Sequence, residues 1–168
     1  MKDFHLPHIS TGDIFRKAIA DGTDLGKKVK EIIDNGNLVP DEVTDQIVDQ
    51  RLEQEDVKKA DGFILDGYPR NPAQAKALSK FLNSINKKID AVIYLDASEE
   101  TVTKRMINRN TGRADDDPNV IPHRIEVAKA QTMPLVDFYQ QDGSLKTIKS
   151  DSDIETVYAE VKKTISSL

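Results

Sequence analysis

The sequence contains no cysteine, so it forms neither a disulfide framework nor a thiolate zinc site. That lack fits a reducing compartment. No apolar run approaches the roughly 18 residues of a membrane-spanning helix, and the opening MKDFHLPH has no apolar stretch of the secretory-leader kind. The expectation is a cytoplasmic protein with no membrane partner. Positive charge is outnumbered, with a formal net charge of −5, which argues against a polyanion binder held by bulk charge and against a nucleic-acid partner. Any anion has to be caught locally. Internal repeats and low-complexity linkers are absent as well.

What is present suits one α/β domain. A chain of 168 residues, 38% hydrophobic with Ile, Leu and Val spread throughout, is long enough for a single real core but not for two large domains. Short apolar runs alternate with longer charged segments of helical period, the arrangement of a parallel sheet with crossover helices on both faces. Strands are expected at FHLPHIS (4–10), GFILDGY (62–68), DAVIYLD (90–96) and LKTIK (145–149), giving a sheet of about four strands. Helices are expected at 12–20, 24–35 and 41–55, the second closing on Gly36 and separated from the third by Pro40. Asn71-Pro72 starts a helix to about Ile85, and Ser98 caps one to about Asn108. A long helix follows from Asp117 to Gln141, where Pro122 and Pro134 are expected to kink or restart it. A last amphipathic helix covers 152–166.

Three stretches could carry chemistry. Arg105, Arg109 and Arg113 recur at every fourth position with no acid among residues 104–113, and Arg124 adds a cation beyond the run Asp115-Asp116-Asp117. Taken alone, such a run reads first as a solvated basic helix end. DGYPR directly follows the apolar GFIL, so Asp66, Gly67 and Arg70 project beyond a strand's carboxyl end, where open α/β sheets bind ligands. Gly67 permits close backbone approach, Arg70 offers a fork for phosphate, and Asp66 suits either hydrated magnesium or the orientation of an arginine. A plain turn with a surface arginine accounts for the same residues equally well. In HISTGD, Ser10 or Thr11 caps a helix and Asp13 suits its positive end, while Arg16 either meets a phosphate near the helix start or is a surface charge.

Together these stretches resemble the adenylate kinases, a family of P-loop nucleoside monophosphate kinases. HISTGDIFR (8–16), NGNLVPDEVT (35–44), GFILDGYPRNPAQA (62–75), RADDD (113–117) and HRIEV (123–127) occur in family order, over nearly the whole chain. The region 109–117 looks like the short-lid form, in which a brief loop replaces a larger, sometimes zinc-binding insert. The missing cysteines agree, and no zinc is expected.

The resemblance implies reversible phosphoryl transfer, ATP plus AMP giving two ADP, with Mg2+ accompanying ATP. It implies that Thr11, Arg16, Asn37, Leu38, Val39, the stretch Gly67, Tyr68, Pro69 and Arg70, and Gln74 hold AMP. Threonine at position 11 favours AMP, because the similar UMP/CMP kinases usually carry a small apolar residue there. Arg109 matches an ATP-side arginine, Arg113 and Arg124 match arginines that grip phosphates during transfer and complete the AMP-binding set, and Ser152 matches a backbone contact to the adenine of ATP. Arg70, Arg109, Arg113 and Arg124 are thus the expected catalytic set, with Asp66 reaching magnesium only through water. Segment 10–39 is the expected AMP-binding helical subdomain within a single domain of residues 1–168. A monomer is expected of a full-length member. Such transfer is served by positioned cations rather than by a nucleophilic triad. His5, His8 and His123 are accordingly read as packing or surface residues, and Tyr68 and Tyr139 as packing.

One family part is not in the sequence. A P-loop, GxxxxGK followed by Ser or Thr, belongs between a first strand and a first helix upstream of HISTGD. Only nine residues precede Ser10, none of them glycine, and Gly26-Lys27 is followed by Lys28 within a helical pattern. The chain reads as an adenylate kinase without its first strand, P-loop and first helix, with Met1 a start placed downstream, a natural truncation or an engineered cut. In the family that strand lies inside the sheet, so unpaired edges and an apolar gap are expected. The alternatives to a working kinase are a non-catalytic AMP-binding remnant and a fragment that needs complementation.

Overall fold

The structure is a computed structural model and describes residues 4–109 and 112–168. It is an α/β fold with parallel strands. β1 (His8–Ser10) runs straight into α1 (Thr11–Ala20), whose start is set by Ser10, with Oγ accepting from the Asp13 backbone N–H at 3.3 Å. α2 (Asp24–Asp34) is capped by Thr23, and the chain leaves it through Gly36 at φ 77°, a left-handed turn that suits glycine. α1 and α2 approach closely at Gly26: an added Cβ would lie 2.1 Å from the Ala18 carbonyl oxygen. Phe15, Val29 and Val39 fill the space between them.

The expected helix 41–55 is two helices. α3 (Asp41–Leu52) ends, Gln54 turns extended at ψ 147°, and a single turn α4 (Glu55–Lys58) follows. The break lets Leu52 and Val57 both point into one core, with Ile9, Val48, Tyr68, Leu78 and Leu82. β2 (Ile64–Asp66) is shorter than the expected 62–68, because Gly67 takes φ 73° and turns the chain out of the sheet. α5 (Pro72–Ser84) starts as expected, with Asn71 Oδ1 accepting from the Gln74 N–H at 2.9 Å and proline in the first turn, where no backbone donor is missed.

β3 (Val92–Asp96), α6 (Glu99–Asn108) and β4 (Leu145–Lys149) follow the expected pattern closely. The first strand, by contrast, covers only residues 8–10 of the expected 4–10. The helix expected from Asp117 begins later, as α7 (Ile121–Gln141), after one 3-10 turn at Ala114–Asp116. Pro122 therefore sits in the first turn, where its missing N–H costs nothing. Pro134 lies inside α7 without ending it, and Leu135 and Tyr139 beyond it are buried against Ala75 of α5. α8 (Ile154–Ile165) is capped by Asp153, which accepts from the Thr156 N–H at 2.9 Å.

The expected single sheet of about four strands is replaced, among the described residues, by two parallel pairs. β1 pairs with β2, His8 opposite Ile64 and Ser10 opposite Asp66. β3 pairs with β4, Val92 opposite Leu145 and Asp96 opposite Lys149. No ladder joins the pairs among the described residues. Leu95 on β3 is 49% exposed, large for an apolar residue in a strand that reads VIYLD. Parallel strands need both faces and both edges covered to bury such a run. The pairs are linked instead through helices: α5 packs on α3 and α7, and α7 and α8 both pack on β4.

Candidate functional site: a cleft of arginines between two strand pairs

A cleft of about 390 Å³ opens between the two strand pairs. Thr11, Arg16, Asn37, Leu38, Val39, Gly67, Arg70, Gln74 and Arg124 line it. Tyr94 and Leu95 of β3, Ala97 just after it, and residues of α6 and α7 also line it. Residues spread from position 11 to 124 thus meet in one place. Of the other expected residues, Tyr68, Pro69, Asp66, Arg109, Arg113 and Ser152 do not line it.

The turn after β2 builds the cleft floor. The Gly67 carbonyl oxygen accepts from Arg70 Nε at 2.8 Å and from Thr11 Oγ1 at 3.2 Å, tying the turn to the start of α1. Gly67 takes φ 73°, which favours glycine, and a Cβ there would lie 3.1 Å from Arg70 Nη2 and 3.4 Å from Thr11 Oγ1, a tight fit against side-chain ends. Tyr68 turns away from the cleft into the core, where its hydroxyl donates to Asp45 Oδ1 at 2.5 Å. Burial pushes the Asp45 carboxyl up, the Tyr68 hydrogen bond pulls it back, and Asp41 on the same helix pushes it up again.

The cations are held near acids rather than left loose. Burial lowers the pKa of the Arg70 guanidinium, and the nearby charges of Arg124 and Arg16 lower it further, against Asp66 and Asp115. Arg124 Nη1 bonds Asp115 Oδ2 at 2.7 Å and Asp116 Oδ1 at 3.0 Å, and Arg109 Nη1 lies 3.7 Å from the same Asp116 oxygen. Arg16 Nη2 donates to Asp13 at 2.7 Å, and Arg113 reaches that carboxylate at 3.9 Å. The hydrogen bond from Arg16 holds the Asp13 carboxyl below the usual carboxylate range, against burial, and the Arg16 and Arg113 charges help. Three mutually repelling guanidiniums around a cleft make a site that an anion stabilises.

On the second pair, Arg105 Nη2 donates to the carbonyls of Ser150 and Ser152 at 2.6 and 2.8 Å. Asp151 between them accepts from the Ser98 N–H and hydroxyl at 2.9 and 2.8 Å. Hydrogen bonds from Thr101 and then Ser98 hold the Asp151 carboxyl down at about 2. Arg105 and Asp151 therefore fix the loop that carries Ser152. Residues 110 and 111 of the expected lid 109–117 lie outside the described residues.

A family model for adenylate kinase matches residues 1–144. The chain belongs to the adenylate kinase family. It is 59% identical over 168 residues to the adenylate kinase of Oenococcus oeni, covering 100% of this chain and 88% of that protein. The adenylate kinase of Leuconostoc mesenteroides is 46% identical over the same span and shares. That of Limosilactobacillus fermentum is 41% identical over 198 aligned positions, covering 100% of this chain and 91% of its own length. An alignment longer than the 168 residues of this chain opens gaps in it.

Two groups important to the site escaped sequence reasoning. Asp41 accepts from Gln74 Nε2 at 2.8 Å and from Asn71 Nδ2, yet an acid in a helix's first turn is already explained by the helix dipole. Arg105 was visible only as one of a basic stripe. His8 Nε2 lies 3.1 Å from Asp66 Oδ2, and His123 Nε2 lies 2.8 Å from Asn37 Oδ1, so both histidines touch expected site residues. Among the described residues no three His, Asp or Glu side chains gather as a metal site. Asp66, a single exposed carboxylate ending β2, fits a magnesium ion that keeps its waters and takes phosphate oxygens.

Proposed function

We propose that the cleft is the monophosphate site of an ATP plus AMP to two ADP phosphotransferase. The observation that carries this reading is the convergence of Arg16, Arg70 and Arg124 on one cleft beside the start of α1. The AMP phosphate meets Arg16 and Arg70 near that helix start, where free N–H groups add donors. Asn37, Leu38, Val39 and Gln74 receive the base, and Thr11 keeps the turn at Gly67 to Arg70 in place. Segment 10–39 acts as the AMP-side subdomain.

Arg109 and the Ser152 loop serve ATP, and the segment 109–117 acts as a short lid that brings Arg113 to the transferring phosphate together with Arg124. Asp115 and Asp116 hold Arg124 ready until phosphate displaces them. Magnesium accompanying ATP would supply charge neutralisation, and Asp66 would hold it through its waters. The arginines supply the rest of the equatorial charge. The reading extends to a cytoplasmic monomer that acts on small nucleotides.

These 168 residues contain no GxxxxGK followed by Ser or Thr. The donors that would fix the β- and γ-phosphates of ATP are therefore not supplied by this chain. A loss of about 4 kcal/mol of transition-state stabilisation slows transfer roughly a thousandfold. The chain on its own is accordingly expected to form little ADP. The separation of β1–β2 from β3–β4, with exposed Leu95 at the gap, supports a second reading: a fragment that works when a strand, P-loop and helix are added.

A coupled ADP assay on the purified chain tests both, with Arg113→Ala as the control for contaminating kinase. Turnover should be near background, and should rise when a strand–P-loop–helix segment from a relative is fused or added. Strong turnover that Arg113→Ala abolishes would show that another part of this chain does the work of that loop. No rescue by the added segment would leave a non-catalytic AMP-binding remnant.

A further inference from the structure

The side-chain amide of Gln74 is held at both ends. The Arg70 backbone N–H donates to Oε1 at 2.7 Å, and Nε2 donates to Asp41 Oδ1 at 2.8 Å. Asp41 is itself fixed, because Asn71 Nδ2 donates to its two oxygens at 3.0 and 3.1 Å. Gln74 is 2% exposed, yet it borders the cleft. The nitrogen and oxygen of an amide have nearly the same shape, so its orientation follows from its partners. Here the partners leave one choice, since an ionised carboxylate only accepts and a backbone N–H only donates. Turning the amide over would set oxygen against carboxylate and NH2 against N–H.

A glutamine amide has two donor hydrogens and two acceptor lone pairs. Asp41 and Arg70 take one of each, which leaves one donor and one acceptor side by side. We propose that Asp41 is a specificity-positioning residue: it locks Gln74 so that the cleft takes a 6-aminopurine monophosphate and rejects a 6-oxopurine one. The proposal rests on the AMP reading above. A 6-aminopurine presents an N–H beside a ring acceptor, and a 6-oxopurine presents a carbonyl oxygen beside a ring N–H. The two edges require opposite orders of donor and acceptor. With the phosphate anchored by arginines, the base arrives in one placement, and a locked amide matches one edge only. A free amide would turn over and serve either. A buried site built for one pattern leaves its own groups unpaired against the other, which is the strong form of discrimination.

The lock can be removed without removing the frame. One helical turn beyond Asp41, Asp45 accepts from Tyr68 and ties α3 to the same loop independently. Titration calorimetry of the 168-residue chain with AMP and with inosine monophosphate tests the proposal. The unaltered chain should prefer AMP by about tenfold or more. Asp41→Asn, whose amide offers Gln74 either a donor or an acceptor, should cut that preference at least about fivefold. General destabilisation or weaker phosphate binding lowers both affinities together, so the ratio reads the lock. Asn71→Ser keeps an oxygen at the helix cap but removes the donor to Asp41, and should shift the ratio the same way by less. It replaces Asp41→Asn if circular dichroism shows that variant unfolded. No AMP binding, or equal affinity of the unaltered chain for both nucleotides, overturns the AMP reading and this proposal together. A preference that persists in the folded variant overturns the proposal alone.

Discussion

Arg70 Nε donates to the carbonyl oxygen of Gly67 at 2.8 Å, so the guanidinium is clamped to the turn that precedes it. The clamp holds a half-buried cation close to two others, Arg124 and Arg16, at an energetic cost in the absence of an anion. Function and stability should therefore part company at this residue. Arg70→Ala should weaken AMP binding about ten- to a hundredfold, the range for one charge-assisted hydrogen-bonding group. The thermal midpoint of the ligand-free chain should stay level or rise, because the repulsion goes with the side chain. A large fall in the midpoint with unchanged AMP affinity would mean that Arg70 is a structural residue.

Tyr68→Phe tests the tie between α3 and the binding turn. Tyr68 is 4% exposed and its hydroxyl is the donor that offsets the burial of Asp45. Removing it should cost about 1–2 kcal/mol at neutral pH, measured by urea unfolding. Burial raises the Asp45 pKa, so its charged form is the costly one. The deficit should narrow as pH falls and the carboxyl takes up its proton. A deficit independent of pH would place the cost in packing alone.

The core that seats β1 and β2 should be sensitive to volume. Leu78 is 1% exposed among Ile9, Val48 and Leu82, so Leu78→Ala should destabilise by about 2–5 kcal/mol. Ile154, 82% exposed at the start of α8, should tolerate alanine within about 0.5 kcal/mol. Similar unfolding midpoints for the two variants would contradict the position of the core.

Alkaline stability should show a specific loss. Burial, helped by Asp142, pushes the Tyr139 phenol from 10.0 up to about 12. Folded Tyr139 keeps its proton where the unfolded chain has lost it. Its contribution is thus complete below about pH 10 and disappears as pH rises toward about 12. Burial and then Asp45 push the Tyr68 phenol the same way. Unfolding free energy measured across that interval should fall, and Tyr139→Phe should flatten the fall.

Much of the local structure was legible in the residues themselves. Asn71-Pro72 and Ser98 marked helix starts because a capping side chain acts within three residues of itself. LKTIK became β4 over the expected span. Errors fell where a distant contact overrode a local preference. Residues 41–55 have a helical pattern throughout, but Leu52 and Val57 reach one core only if the chain breaks between them. The strand at 62–68 stops early where Gly67 turns at φ 73°, a turn that the distant Thr11 hydroxyl holds through the Gly67 carbonyl.

The motif residues Thr11, Arg16, Gly67, Arg70, Gln74 and Arg124, their order, and the family could be read along the chain without coordinates. Short-range chemistry explains this, since caps, turns and periodicity need only neighbours. That the strands stand as two pairs, that Arg70 lies among like charges, and that Gln74 is gripped by Asp41 emerged only once the chain was folded. Asp41 and Gln74 are 33 positions apart, and Ser10 and Asp66, paired across β1 and β2, are farther still. Such contacts form when packing closes long loops, and no local preference encodes which groups will then face each other.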